Sequence, residues 1–352
     1  MGIYKDEERG TWYCSFYYTD WQGNKKKKMK RGFKLQRDAK EWERKFLEGY
    51  AKNPAISFAT LCEKYLDYLQ PRVRESTFAI RKPIINNQIL PYFRNLQLID
   101  ITPEVITSWQ NELLSKHLSD TYTRSINVCL KAIFNYAVKY LGLSKNPCIE
   151  TIGNKKARKI SFWTPEEYLQ FIKEFDISRP VELMYFTIFE ILYYTGMREG
   201  ELLALTPNDF DEKNKQIHIS KTIYYAAGKK MLHPPKTAKG ERTVDIPDFL
   251  VNEIKMYLAH LYDIGADDRI FPIFAQYIRR IMKQKIDSSG VKPIRVHDLR
   301  HSHASTLINL GANPVLVAER LGHESPDITL KTYSHLFPHK QADIVSKIEK
   351  IE

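Results

Sequence analysis

Two arginines, two histidines and a tyrosine lie in the second half of the chain at spacings that suit cleavage of a phosphodiester: Arg198, His297, Arg300, His323 and Tyr333. Attack on a phosphodiester builds negative charge on the nonbridging oxygens, and planar guanidinium groups match that geometry with paired hydrogen bonds. A phenol can act as the nucleophile and form a covalent intermediate. The sequence therefore predicts a phosphate clamp made by Arg198 and Arg300, with His323 as a further donor and Tyr333 as the attacking group.

The predicted nucleophile needs help from its neighbours. A tyrosine phenol has a pKa of about 10 and is protonated at neutral pH, so a base must take the proton or cations must lower that pKa. His297 is the predicted acid–base group, and Glu201 is predicted to orient one of its neighbours. The chain contains 21 tyrosines, so residue type selects none of them. Tyr333 follows His323 by ten residues and precedes Ser334-His335, and it is selected because this spacing resembles that of the tyrosine in a known family.

Short helices and turns are predicted to position these groups. A helix over 183–194 stops at Gly196 and another resumes at Glu201, so Arg198 falls in the turn between them. An arginine at such a turn could instead cap helix carbonyls, and the sequence leaves both roles open for Arg198. Helices are also predicted over 297–310, which carries His297 and Arg300, over 314–321, which ends just before His323, and from Ser325 onward, which carries Tyr333. Strands are predicted over 215–220, 222–225 and 242–246.

Length and charge agree with a nucleic-acid partner. A chain of 352 residues exceeds a single core, so two or three domains are expected. The chain has 54 Lys and Arg against 42 Asp and Glu, a net charge of +12, which suits a polyanion. A lysine-rich solvated surface would carry the same charge, so charge alone decides little.

Cysteine spacing and hydropathy indicate the compartment. The four cysteines form no CxxC pair, which favours neither a zinc ribbon nor a disulfide framework. The first residues carry no signal-peptide pattern, and the apolar run over 183–194 is too short to span a bilayer. We therefore expect a cytoplasmic, nucleoid-associated protein with no membrane partner.

Four segments carry a resemblance to a known family. Thr195-Gly196-Met197-Arg198-Glu199-Gly200-Glu201, His297-Asp298-Leu299-Arg300, Leu321-Gly322-His323 and Tyr333 together resemble the boxes of the tyrosine recombinases, the phage-type and conjugative-transposon integrases. The resemblance covers nearly the whole chain and is most specific in the last 190 residues. It implies an integrase that cuts and rejoins DNA through a 3′-phosphotyrosine, frees a 5′ hydroxyl, and needs no cofactor, metal ion or ATP.

The resemblance also implies a fold class and a domain order. The expected architecture is multidomain and mainly α with small β-sheets. A β-β-β-α arm-binding domain over 1–52 is followed by a helical core-binding domain over 57–150, a basic linker over 151–160 and a mixed α+β catalytic domain over 161–352, which ends in a tail. Double-stranded DNA with core-type and arm-type sites is the implied partner. The family assembles as a homotetramer on DNA, and an excision factor and a host DNA-bending protein are candidate further partners. The tail could pack on a neighbouring protomer or on its own domain.

Predicted DNA contacts lie in two basic stretches and one loop. The arm stretch comprises Lys25, Lys26, Lys27, Lys28, Lys30 and Arg31, and the linker stretch comprises Lys155, Lys156, Arg158 and Lys159. In the family, a hairpin lysine protonates the leaving 5′ oxygen. Lys236 matches that position best, and Lys239 is its rival. The alternative for Lys25 to Lys30 is a solvated hairpin tip.

Three other functions fit parts of the pattern. His297-Asp298-Leu299-Arg300-His301 mimics a zinc-binding helix, with His303 and His323 as further ligands, but a zinc site leaves Arg198 and Tyr333 unexplained. A DNA-binding regulator on an integrase scaffold would not need the complete residue set. A type IB topoisomerase would share the pocket chemistry, but the arm-like first domain favours recombination.

Overall fold

The computed structural model describes residues 2–7, 9–19, 25–52, 56–154, 160–226, 229–235 and 237–336. The chain divides into two compact units, Met1–Ala157 and Arg158–Glu352. The fold-class prediction is confirmed, since helices dominate both units and the sheets have two or three strands. No helix in the described ranges is long and apolar enough to cross a membrane.

The first unit begins with a three-stranded antiparallel sheet and one helix. Its strands run in the order β1-β2-β3, and α1 follows them: β1 Gly2–Asp6, β2 Thr11–Thr19, β3 Lys25–Phe33 and α1 Gln36–Lys52. Phe16 of β2 is buried, and its ring packs in a tilted arrangement against Trp42 and Phe46 of α1, with ring centroids 6.3 and 5.4 Å away. Because β3 is exposed along almost its whole length, its lysines lie outside this aromatic core.

The rest of the first unit is a helical bundle: α2 Phe58–Leu69, α3 Glu75–Ile84, α4 Leu90–Phe93, α5 Pro103–Ser115 and α6 Asp120–Tyr140. A π-helical turn, Ile85–Ile89, joins α3 to α4. The predicted cap at Ser57 is confirmed, because its Oγ accepts a hydrogen bond from the Thr60 N–H at 3.1 Å. Phe58, Phe93 and Trp109 are buried, so the apolar stripes form a core as helical periodicity predicts.

The second unit combines eight helices with two small sheets in its described part. Its elements are α7 Pro165–Ile172, α8 Pro180–Thr195, α9 Glu199–Leu202, β4 Phe210–Asp211, β5 Gln216–Ile219, β6 Thr222–Ala226, β7 Lys229–His233, β8 Arg242–Asp245, α10 Asp248–Leu258, α11 Ala275–Ser289, α12 Asp298–Asn309, α13 Pro314–Leu321 and α14 Pro326–Tyr333. One sheet has the order β4-β5-β8, and β6 pairs with β7 in a hairpin. The three predicted strands are confirmed. The sequence pattern did not predict β7, because Lys229 to His233 has little apolar alternation and forms only the second strand of a hairpin.

Two hydrophobic clusters organise this unit. The larger surrounds α8, which is mostly apolar and buried beyond its first turn, and includes Trp163, Tyr168 and Phe189. Thr164 starts α7 with a capping box, as the sequence predicts: its Oγ1 accepts from the Glu167 N–H at 3.3 Å. A smaller cluster joins α12, α13 and α14 through residues that include Leu321 and the ring of Tyr333.

Candidate active site

The turn that carries Arg198 is shaped by a glycine. Gly196 ends α8 with φ of +63°, a conformation that favours glycine. A Cβ atom there would approach His303 Cδ2 and Leu321 Cδ2 to 2.7 Å each. The turn therefore packs tightly against α12 and α13, and it brings Arg198, the first residue before α9, toward the end of the chain that carries the other predicted groups.

Glu201 fixes the orientation of Arg198. Its carboxylate accepts hydrogen bonds from the Arg198 backbone N–H at 2.9 Å and from Arg198 Nη1 at 2.7 Å. Burial favours the neutral carboxyl, but the cations of Arg242 and Arg198 outweigh it and hold the pKa of Glu201 below its ordinary value. The Arg198 side chain remains 42% exposed, so its guanidinium is held from one side and open on the other.

Arg300 is almost completely buried and donates hydrogen bonds to carbonyl groups at the ends of two helices. Its Nη1 donates to the carbonyl of Gly196 at 2.9 Å, and its Nη2 donates to the carbonyl of Leu321 at 2.6 Å. The carbonyl-capping role considered for Arg198 thus falls to Arg300. Burial lowers the pKa of Arg300 to about 9, with the Arg198 and Arg242 cations acting in the same direction, so Arg300 is still charged at neutral pH.

Arg242, at the start of β8, is a functional residue that the sequence pattern did not predict. Its Nη2 donates to Glu201 Oε2 at 3.0 Å, its Nη1 to the Gly240 carbonyl at 3.0 Å and its Nε to the Arg320 carbonyl at 2.9 Å. Only 6% of its side chain is exposed. Arg242 therefore ties the loop before β8 to Glu201 and to the end of α13. The sequence pattern placed Arg242 in a strand and gave it no role at the site. A buried Glu201 needs a second cation beside Arg198, and only this need could have pointed to Arg242.

His323 follows α13 after a second left-handed glycine. Gly322 has φ of +66°, and a Cβ there would lie 2.8 Å from the backbone oxygen of Lys239. The Nδ1 atom of His323 lies 2.8 Å from Thr329 Oγ1, which leaves Nε2 for another partner. Burial, then Arg300 and Arg198, lower the pKa of His323 to about 4. The ring is therefore neutral at pH 7.

Tyr333 contacts a histidine that was not predicted as a catalytic group. Its phenol oxygen lies 2.6 Å from His301 Nδ1, while its ring is 1% exposed within the small cluster. Burial raises the pKa of Tyr333 to about 12, although Arg300 acts in the opposite direction. The sequence pattern suggested His301 only as a zinc ligand. Its position four residues after His297, one helical turn along the same face, could have identified it.

His297 lies at the start of α12 and is exposed. Its ring meets that of His301 edge-on, with centroids 5.5 Å apart. Partial desolvation, then the Arg300 cation, lower the pKa of His297. His303, the other proposed zinc ligand on α12, is buried and lies 3.0 Å from Arg320 Nε. Within the described ranges, no three His, Cys, Asp or Glu residues are grouped so as to hold a metal ion.

The structure therefore brings five predicted groups, Arg198, His297, Arg300, His323 and Tyr333, into one site in which each affects the charge of another, and Glu201 is hydrogen-bonded to Arg198. Lys236 lies outside the described residues, and so do Lys155, Lys156, Arg158, Lys159 and the tail after residue 336. Lys239, the rival of Lys236, is exposed in the short turn Ala238–Gly240. That turn adjoins Gly322, one residue before His323.

The predicted arm contacts all lie on β3, in the first unit. Lys25, Lys26, Lys27, Lys28, Lys30 and Arg31 are exposed. Aromatic rings hold several of these cations: the Nζ of Lys25 lies 5.5 Å from the Tyr17 ring centroid, and that of Lys30 lies 4.9 Å from the Trp42 ring. This face combines exposed cations with aromatic platforms, a pattern suited to a nucleic-acid surface.

Three protein-family models match the chain. "Phage integrase family" matches residues 161–340, "Phage integrase, N-terminal SAM-like domain" matches 57–114, and "Arm DNA-binding domain" matches 2–49. The chain is 30% identical over 338 residues to the ICEBs1 integrase of Bacillus subtilis (strain 168), an alignment that covers 90% of this chain and 88% of the relative.

Two solved structures share the fold. The Tn1549 transposon integrase in complex with a circular intermediate DNA superposes with a TM-score of 0.69 at 18% identity, covering 84% of this chain and 100% of that one. A lambda integrase tetramer bound to a Holliday junction gives a TM-score of 0.59 at 17% identity, covering 96% and 95%. The solved structures thus share the fold, while the family model over residues 161–340 and the 30% identity to the ICEBs1 integrase show that the chain belongs to the phage integrase family and is a site-specific DNA recombinase of the tyrosine type.

Proposed function

We propose that this recombinase integrates a mobile element into a chromosome, and also excises it, by forming a 3′-phosphotyrosine at Tyr333. The observation that carries the proposal is the convergence of Arg198, Arg300 and His323 on the pocket whose phenol is Tyr333. Attack by the phenol oxygen forms the bond to phosphorus and releases the 5′ oxygen of the cut strand. The 5′ hydroxyl of another strand then attacks the phosphotyrosine and restores the phosphodiester.

Each predicted side chain has a role in this reaction. Arg198 and Arg300 bind the nonbridging oxygens and stabilise the charge that develops on them. Arg198 is open to the substrate, while Arg300 has donors left beyond the two that hold helix ends. His323 adds a donor through Nε2, and His297 is the acid–base group beside the phosphate. Glu201 positions Arg198, and Lys236 donates the proton to the leaving 5′ oxygen.

In the DNA-free chain the Tyr333 ring is 1% exposed within the small cluster, and its hydroxyl lies 2.6 Å from His301 Nδ1. We propose that bound DNA brings the phosphate to this hydroxyl while the contact with His301 is kept.

Metal and ATP independence follow from the proposed chemistry. The arginine cations supply the positive charge that a metal ion supplies in other phosphoryl-transfer enzymes. The phosphotyrosine conserves the energy of the broken phosphodiester, so rejoining needs no nucleotide hydrolysis. We expect cleavage and joining to persist in excess chelator and without ATP.

The domain assignment completes the proposal. Residues 1–52 bind arm-type sites through β3, residues 57–150 bind core-type sites, residues 151–160 form a basic linker that contacts DNA, and residues 161–352 carry the chemistry. Four protomers assemble on DNA, by analogy with the lambda integrase tetramer bound to a Holliday junction. An excision factor and a host DNA-bending protein set the direction, and the chain acts at chromosomal DNA of the nucleoid.

One experiment separates this proposal from a binding-only regulator and from a type IB topoisomerase. The full chain is incubated with a nicked duplex that carries one end of the element encoding it, together with a duplex of the chromosomal target site. We expect a denaturant-resistant protein–DNA adduct and a joined product. An adduct with relaxation of supercoiled plasmid but no joining would indicate a topoisomerase, and binding without any adduct would indicate a regulator.

A further inference from the structure

The direct contact between Tyr333 and His301 does not belong to the predicted catalytic set. The phenol oxygen lies 2.6 Å from His301 Nδ1, well within hydrogen-bonding distance. The two rings meet nearly edge-on, at 62°, with centroids 5.6 Å apart. The fold sets this geometry, because His301 lies in the first turns of α12 and Tyr333 ends α14, both held by the cluster around Leu321.

We infer that His301 is the catalytic residue that accepts the phenol proton of Tyr333 as the tyrosine attacks, while His297 serves the phosphate. This inference rests on the proposed function, since it assigns a base to the same reaction. His301 touches the reacting oxygen, whereas His297 lies one turn earlier on α12 and meets the His301 ring edge-on. The two histidines are therefore neighbours, one in contact with the nucleophile and the other exposed at the start of α12.

The proton balance of cleavage is complete with this assignment. As the bond from the Tyr333 oxygen to phosphorus forms, the phenol proton moves to His301 Nδ1. The bond from phosphorus to the 5′ oxygen breaks, and that oxygen takes a proton from the Lys236 ammonium group. Joining runs the same steps in reverse, so His301 returns its proton to the tyrosine as the phosphotyrosine bond breaks. No oxidant, metal ion or nucleotide enters the scheme.

The electrostatic surroundings explain why a base is needed and why His301 can serve. Burial raises the pKa of Tyr333 to about 12, so the pocket by itself does not produce a phenolate at neutral pH. Burial, followed by His297, lowers the pKa of His301 to about 4, so its ring is neutral and can accept a proton. The charged or titratable groups that face it are His297, Asp298, Arg300 and Arg295 near its own helix, Tyr333 on α14 and His323 after α13. A bound phosphate would add negative charge and favour the protonated imidazole.

The first test compares single-turnover cleavage by the full chain and by His301→Ala on a nicked duplex that carries one end of the element. General-base catalysis typically contributes about a hundredfold or more, so we expect a loss of that size with unchanged DNA affinity. Between pH 6.5 and 9 the rate of the variant should rise about tenfold per pH unit, because attack then depends on the small fraction of Tyr333 that is already ionised, and this fraction rises tenfold per pH unit below the phenol pKa of about 12. The wild-type rate should stay nearly flat, because His301 accepts the proton during the attack. His260→Ala, which removes an exposed histidine just after α10, is the matched control and should leave both rate and slope unchanged.

The second test varies the acidity of the nucleophile and the leaving group separately. Replacing Tyr333 by a fluorinated tyrosine of lower pKa should restore much of the rate lost in His301→Ala, since an acidic phenol needs less help from a base. A 5′-phosphorothiolate duplex, whose sulfur leaves without a proton, should restore Lys236→Ala but not His301→Ala. Thermal unfolding of each variant checks that the fold is retained.

The outcomes separate this inference from the proposed function. If the wild-type chain forms no adduct, the proposed function fails. If the wild type cleaves and His301→Ala cleaves at the same rate or faster, His301 only holds Tyr333 in its buried position and the inference is overturned. Rescue by the phosphorothiolate instead of the fluorinated tyrosine would also overturn it, because His301 would then act on the leaving group.

Discussion

Two groups of cations in this chain use the same charge in opposite ways. The lysines of β3 are exposed and rest on aromatic rings at its surface. In the pocket, Arg242 and Arg300 are buried, and Arg242 directs each of its nitrogens to a defined oxygen. An exposed cation attracts a phosphate backbone but is screened by salt, whereas a buried and oriented one stabilises charge in a fixed place. The first arrangement suits binding and the second suits catalysis.

Placing several cations close together is electrostatically unfavourable, and the exposed lysines of β3 do not carry this cost. Several cations lie close together in the pocket, and Glu201 is the carboxylate that both Arg198 and Arg242 contact. Removing a pocket cation should therefore affect folding or rate. Removing a β3 cation should affect only affinity.

The largest stability effect is expected for Arg242→Ala. Removing one partner of a buried ion pair typically costs about 3–5 kcal/mol, and the Arg242 and Glu201 side chains are only 6% and 2% exposed. Because Arg198 still contacts Glu201 in the variant, the loss should fall at the lower end of that range. Urea unfolding monitored by circular dichroism measures the loss. Arg179→Ala is the control, because its pair with Asp176 is exposed on both sides and should contribute little to stability. Equal losses in the two variants would contradict the proposed difference.

The largest effect on rate without unfolding is expected for Arg198→Ala. This side chain is 42% exposed, so its loss should be tolerated by the fold. Losing one preorganised donor typically lowers the rate by about 100- to 1,000-fold. Single-turnover cleavage at saturating protein measures it, and Arg279→Ala, which removes an exposed cation paired with Glu199, serves as the control. A loss of affinity with an unchanged cleavage rate would place Arg198 with the β3 lysines.

Neutralising Lys25 and Lys27 together should weaken binding only. If each contacts one phosphate, the Lys→Gln double variant should lower the slope of log affinity against log salt by about 1.8, at roughly 0.9 per contact. Fluorescence anisotropy on an arm-site duplex between low and moderate salt measures this slope. The cleavage rate of a saturated core-site duplex should not change. An unchanged slope would support the alternative of a solvated hairpin face.

The smallest effect is expected for two neighbouring acidic residues, Glu190 and Glu253, whose negative charges contrast with the cations of the site. Burial, with the neighbouring Glu190 carboxylate, raises the pKa of Glu253 from 4.5 to about 8. The stability that its protonated form contributes is fully present below pH 4.5 and is lost as the pH rises through 8. The buried histidines act in the opposite direction, but only below about pH 6.5.

The clean window for this pair therefore lies between pH 7 and 8.5. There the wild type should lose stability with rising pH, at less than about 1.4 kcal/mol per pH unit, and Glu253→Gln should lose less. Unfolding by urea at several pH values within the window measures both slopes. Identical slopes would show that the pair does not hold a proton in the folded state.

The sequence predicted the elements that local rules control. Caps at Ser57 and Thr164, the glycine stop at Gly196 and the strand over Arg242–Asp245 depend on neighbours a few residues away, and the structure confirms them. The contacts of Arg242 with Glu201 and of His301 with Tyr333 join residues 41 and 32 positions apart. Only the packed fold creates such contacts. Arg242 carries no local pattern that marks its role, whereas the spacing of His301 from His297 places it on the right helical face but does not reveal its partner.

The central claim is that one tyrosine among 21 performs the attack. The most direct measurement is mass spectrometry of the peptide that carries DNA after the full chain reacts with a nicked element-end duplex, is denatured and is digested with trypsin and nuclease. We predict a nucleotide adduct on Tyr333 and its complete absence in Tyr333→Phe, with duplex binding retained. An adduct on another tyrosine, or an unchanged yield of adduct in Tyr333→Phe, would contradict the account.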